Sequence, residues 1–331
     1  MMRMQGAPRA FLATLGIVWA ALCIAGWIYG QQLSIPAAVA AAVIAAFLIE
    51  AVFFLFPGFE LLREGARKKL AGWRLAAALT ASATLPYLVY SVPWGVFRWR
   101  SFAVLLLLAG LAGFWYAVAP RKPAFDVLFL ALMAVVLMAR VFTGIYASPW
   151  PRLRVDVLGH LMWIRTGVMA VLLLRGAEGI GFGFLPQRRE WWIGLRNFLY
   201  FVPLGAALSL LSGFARFEPP AGPWWRTPAV TAGTFLGMLW VVALSEEFFF
   251  RGLLQRWLCG WLRSDPAGLL IASLLFGAAH LPFRSFPNWR FALVAALAGL
   301  FYGRAYQQAG GIRAAMVAHA LTNTFWRLVF A

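Results

Sequence analysis

The sequence predicts an all-α, polytopic membrane protein, a transmembrane helical bundle of about ten or eleven spans. Three observations predict it. Hydrophobic residues make up 63% of the 331 positions and charged residues only 12%, against roughly 25% charged in a soluble domain. Apolar runs long enough to cross a bilayer recur from one end of the chain to the other. The charges are mostly arginine and gather in the short gaps between those runs, as in loops that face anionic lipid. So apolar and aromatic a chain does not stay solvated, which excludes disorder.

The first runs lie at 10–30, 35–56, 71–92, 101–119, 125–146 and 156–174. Each approaches the ~20 apolar residues that a spanning helix needs. The first is too long for a signal-peptide core and is followed by no small-residue cleavage site and soluble domain, so it reads as a helix that stays. Arg3 and Arg9 precede it, the gap at 31–34 is uncharged, and the next gap holds Arg63, Arg67, Lys68, Lys69 and Arg74. That alternation predicts a cytoplasmic N-terminus. Residues 175–192 mix glycine, charge and tryptophan. They read as an interfacial linker with Trp191 and Trp192 at headgroup level. Further runs follow at 193–213, 229–258, 266–282, 291–308 and 312–330. The chain thus divides into an N-terminal transmembrane bundle (1–174) of unassigned role, the linker (175–192), and a C-terminal core (193–331).

A net charge of +18 would suggest nucleic acid in a soluble protein. Here the basic residues sit in loops, so the expected partners are the lipid bilayer and a membrane peptide or protein, not nucleic acid. Lysine is rare beside arginine, which hints at a GC-rich bacterial genome and hence at a bacterial cytoplasmic membrane. Cys23 and Cys259 lie in apolar surroundings and form neither a disulfide framework nor a metal-ligand spacing.

Ionisable groups inside spans are expensive and are functional candidates by default. The C-terminal core holds a cluster of them: Glu246 and Glu247 with Arg251, then His280, then His319 with Asn323. Neighbours on an α-helix lie about 100° apart, so Glu246 and Glu247 are expected to point different ways. Glu247 and Arg251 are i,i+4 and suit an ion pair, leaving Glu246 free. Ser264 or Asp265 can cap the second helix of a hairpin that turns near Arg263, with Pro266 in its first turn. Glu246 and His280 are each 17 positions from Arg263, at similar depth, up to ~25 Å of helix. Pro282 is expected to end that second helix just past His280. A carboxylate and an imidazole can share a water and take its proton. A second histidine with an amide can donate to a developing oxyanion. The set contains a base, a water site and an oxyanion hole but no nucleophile of its own, so attack by water on an amide is the natural reaction. The sequence has no HExxH, no convincing GxSxG serine and no GxGD with a second intramembrane aspartate, which removes the other intramembrane protease designs. The rival reading is a transporter or a binding or self-immunity protein, in which the same buried groups relay protons or hold a ligand.

The motifs Glu246-Glu247-Phe248-Phe249-Phe250-Arg251, Phe276-Gly277-Ala278-Ala279-His280 and His319-Ala320-Leu321-Thr322-Asn323 resemble those of the CPBP family, which includes the type II CAAX prenyl endopeptidases and bacteriocin-processing membrane proteins. The resemblance covers roughly 229–330. It implies that Glu246 and His280 activate water, that His319 and Asn323 stabilise the oxyanion, and that Glu247 and Arg251 support them. Zinc stays possible, since one Glu and two His can ligate it and the family has been described both as zinc-dependent and as metal-free. The lack of HExxH favours the metal-free form. Elsewhere, Glu50 and Arg140 are candidates for a buried pair. His160 with Asp156 at i−4 is expected to make a local pair. Gly26/Gly30 and Gly299/Gly303 suggest close helix contacts.

Overall fold

The computed structural model describes residues 2–70, 72–218, 227–283 and 285–330. Among them it is all-α, with one isolated antiparallel bridge, Phe217 to Phe330, and no strand. Contacts divide the chain into two units, Met1–Ala177 and Glu178–Ala331.

In the first unit, α1 (Met2–Gln32), α2 (Ala37–Leu55), α4 (Trp73–Ser91), α5 (Trp99–Val118) and α6 (Pro123–Met138) follow the apolar runs, and α3 (Glu60–Lys69) is a short polar helix between α2 and α4. The run at 125–146 is not one span. Arg140 takes a left-handed backbone (φ 51°), and a separate short helix, α7 (Val141–Ile145), follows it. The Thr143 hydroxyl donates to the Arg140 carbonyl at 2.7 Å, closing that break. The helix α8 (Asp156–Arg175) is the buried axis of the unit, with 83% of its most apolar window inside. Arg165 on α8 explains the Glu50 carboxylate: its Nε donates to Glu50 Oε1 at 2.6 Å, and its two terminal nitrogens donate to the Ser82 hydroxyl and carbonyl at 2.9 Å. Glu50 therefore pairs with Arg165 and not with Arg140, which is exposed. His160 does bond Asp156, through the backbone and not the carboxylate. Arg154 takes the Asp156 carboxylate at 2.7 Å, and the His160 Nδ1–H donates to the Asp156 backbone carbonyl at 2.9 Å.

In the second unit, α9 (Arg188–Leu211) begins inside the expected linker. Gln187 and Glu190 form a capping box there, which satisfies the first amides and fixes the start. Next come α10 (Pro228–Leu262), α11 (Asp265–Ala278), α12 (Trp289–Ala309) and α13 (Ile312–Val329). The helices α9, α11, α12 and α13 share a core of Phe201, Phe276, Ala298, Tyr302, Ala315 and Ala318. Glycine permits two of the close approaches. A Cβ on Gly194 would lie 2.7 Å from the Ala314 carbonyl oxygen, and one on Gly277 would lie 2.5 Å from that of Ala292. The segment before α9 is tied down: the Ile180 carbonyl accepts from the Ile312 amide at 3.0 Å, and the Phe184 carbonyl from the Trp240 indole at 2.9 Å.

Of the described helices, six are long and apolar enough to cross a membrane: α1 from Pro8, α2 with the turn after it, α5, α8, α9 and α10. The other expected spans are helices too, but α6 and α11 are shorter apolar helices of 10–17 residues.

Candidate active site

The helix α10 is not a uniform α-helix. Its α-helical turn Leu244–Glu247 sits between two π-helical stretches, Met238–Ala243 and Phe248–Gln255. Such π segments inside helices often mark functional positions. After α10 the chain turns at Arg263, whose φ is 52°. The Ser264 hydroxyl then accepts from the Ala267 amide at the start of α11. The hairpin thus turns where the sequence places it.

The helix α11 ends at Ala278 and not beyond His280. His280 lies in the following turn, and its Nδ1–H donates to the Phe276 carbonyl at 2.7 Å. The imidazole therefore caps one of the carbonyls that a helix end leaves without an amide. A carbonyl oxygen only accepts, so Nδ1 carries a proton. Phe276, Phe283 and Phe291 pack around the ring, with centroids 4.7–5.4 Å away.

His319, on α13, is 3% exposed. Its Nδ1–H donates to Glu247 Oε1 at 2.7 Å, and its Nε2 lies 3.9 Å from Glu246 Oε2. Both carboxylates thus meet one imidazole, on its two nitrogens, although they leave the helix in different directions. Glu247 Oε2 is 3.2 Å from Arg251 Nε, the ion pair that i,i+4 spacing suggests. Neither of those two atoms makes a well-directed hydrogen bond there. The guanidinium also packs over the Phe276 ring at 4.4 Å and donates to the Gly299 carbonyl at 3.2 Å. One turn on, Gln255 donates to the Gly303 carbonyl at 3.2 Å. The paired glycines therefore offer their carbonyls to a polar ladder, a use beyond close packing.

Glu246, His280, His319 and Asn323 line one cavity of about 550 Å³, whose walls include Phe201, Phe291 and Trp326. Glu246 Oε2 is shielded from solvent and has no hydrogen-bond partner. The Asn323 amide rests on the Met238 sulfur at 3.7 Å, a weak acceptor. Glu247 and Arg251 lie behind His319 and do not line the cavity. The tyrosine that stacks on His319, Tyr302 (centroids 4.6 Å, interplanar 14°), is a wall residue that motif reasoning misses. Its only sequence signal is a polar-tipped ring between Gly299 and Gly303.

A catalytic zinc needs three protein ligands at about 2 Å from one point. Among the described residues no group of three His, Cys, Asp or Glu side chains comes together in a way that could hold a metal ion. The chemistry below is written with the chain's own groups.

No curated protein and no solved structure matches the chain. Residues 228–325, which carry all six cluster residues, match the family model described as type II CAAX prenyl endopeptidase Rce1-like, so this stretch is similar to that family and consistent with a CPBP-type core.

Proposed function

We propose that the second unit is an intramembrane endopeptidase that hydrolyses a peptide bond in a membrane-inserted or lipid-anchored substrate. The observation that carries the reading is the Glu246 carboxylate. It has a shielded, unpartnered oxygen in a largely apolar cavity, and such an atom demands a donor. A water supplies it.

In the proposed reaction these groups act in turn. A water held by Glu246 and by the lone pair of His280 Nε2 gives its proton to the carboxylate as its oxygen bonds to the peptide carbonyl carbon. The carbonyl electron pair moves to oxygen. The Asn323 amide donates to that oxygen, and so does His319 Nε2 when the ring carries its second proton. Collapse reforms the carbonyl and breaks the C–N bond, and Glu246 returns its proton to the leaving nitrogen. Glu247 accepts from Nδ1 and so aims the other face of the His319 ring at the cavity. The match over 228–325 supports a peptidase at family level. The metal-free route, the substrate class and a bacterial cytoplasmic membrane are parts of the proposal.

The test compares protein N-termini in membranes from cells that carry the native protein or Glu246→Gln at equal abundance. New termini that require Glu246 are expected, with cleavage lowered about 10²–10⁴-fold in the variant. Unchanged termini with a folded variant would move the reading to a transporter or binding protein.

A further inference from the structure

We propose that the second unit carries a binding site for one anionic phospholipid on the outer face of α9 beside the end of α12. A groove of about 530 Å³ runs along α9 there, and Trp192, Leu195, Leu199 and Tyr200 give it an apolar floor. Trp192, Leu199 and Tyr200 are 63%, 57% and 47% exposed. Arg189 and Arg196 line the same groove. Arg304 of α12 reaches over the Tyr200 ring, its guanidinium carbon 5.4 Å from the centroid.

The charges select the occupant. Arg189 and Arg196 spend one nitrogen each on Gln308, at 3.1 Å to its carbonyl and 3.1 Å to its side-chain oxygen. Gln308 is neutral, so those bonds orient the guanidiniums and leave their charge uncompensated. Among the described residues, no carboxylate forms an ion pair with Arg189, Arg196 or Arg304. Arg196 lies about two helical turns inside α9, and Arg304 lies within two turns of the C-terminal end of α12. Arg196 is one turn from Tyr200, over whose ring Arg304 lies, and charges gathered there without a carboxylate call for a counter-charge. An apolar groove beside them calls for hydrocarbon. An anionic phospholipid supplies both, with its phosphate among the arginines, where a guanidinium fork fits two oxygens, and an acyl chain along Leu195 and Leu199. A zwitterionic lipid would fill the groove without neutralising its rim.

The site is separate from the cavity of Glu246, which α9 meets through Phe201 on its buried face. Its test therefore stands apart from the peptidase reading. Full-length protein in mixed micelles is titrated with phosphatidylglycerol or with phosphatidylcholine of the same chains, and bound lipid is counted by native mass spectrometry. Phosphatidylglycerol is expected to bind more tightly, and each of Arg196→Gln and Arg304→Gln to weaken it roughly fivefold. Leu199→Trp, which fills the groove and keeps every charge, is expected to lower binding of both lipids. Equal affinity for the two lipids, or unchanged phosphatidylglycerol binding in a folded Arg196→Gln/Arg304→Gln double variant, would overturn the proposal. So would a second copy of the chain found seated in the groove.

Discussion

At the scale of single residues, the His319 ring is held by what surrounds it. Glu247 binds one nitrogen at 2.7 Å, and Tyr302 covers one face. Glu247→Gln keeps an acceptor for Nδ1–H but removes the charge that Arg251 faces. Stranding a buried cation costs about 3–5 kcal/mol, so the unfolding free energy of this variant in detergent is expected to fall by that order. Glu247→Gln with Arg251→Met should recover most of the stability without recovering cleavage, because the carboxylate that aims His319 stays lost. Recovery of both together would show that Glu247 only supports the fold. Much of this was legible in the sequence. The i,i+4 pair and the four cavity residues follow from spacing and from the cost of charge in a span. The sharing of His319 by two adjacent glutamates was not, because a phase angle of 100° says where side chains leave a helix and not where a third group stands between them. The capping role of His280 is hidden in a similar way. Pro282 signals the end of α11, but the helix stops at Ala278, and the imidazole replaces the missing amide as a cap.

At the scale of elements, α9 and α13 meet where Gly194 faces Ala314 and Val317. Gly194→Val places carbon where the Ala314 carbonyl already stands. Overpacking of this kind costs about 1–3 kcal/mol, and a lowered thermal midpoint is the expected readout. An unchanged midpoint would mean that the two helices separate freely at that point. The first unit shows why the partner of Glu50 is not legible in the sequence. Glu50 needed a buried partner, and Arg140 was the visible cation, but Arg140 sits at the break between α6 and α7. The partner is Arg165 on α8, a long way along the chain from Glu50, where it also binds Ser82. Sequence periodicity marks which residues lie in spans and carries no information on which helices are neighbours. The π-helical stretches around Glu246 have no signature in hydrophobic pattern either, since they alter the phase of a helix and not its apolar content.

At the scale of the whole molecule, the all-α class and nearly every helix boundary follow from apolar run length. The exceptions include the split of α6 from α7, the start of α9 at Arg188, the end of α11 at Ala278 and the polar helix α3, where local hydrogen bonds such as that of the Thr143 hydroxyl to the Arg140 carbonyl and the capping box at Gln187 decide the ends. The number of spans is less legible, because a run can be apolar and helical yet too short to cross alone. The cavity has a consequence of its own. Its walls carry the rings of Phe201, Phe291 and Trp326 beside aliphatic and polar side chains, and each turnover of a hydrolase consumes one water. Supply of that water, and not the proton transfer, would then pace the reaction. Lowering water activity with an excluded osmolyte should slow cleavage well before it affects substrate binding, while transfer into D₂O should change the rate little. A large isotope effect with no osmotic dependence would mean that the site drinks freely from the bulk.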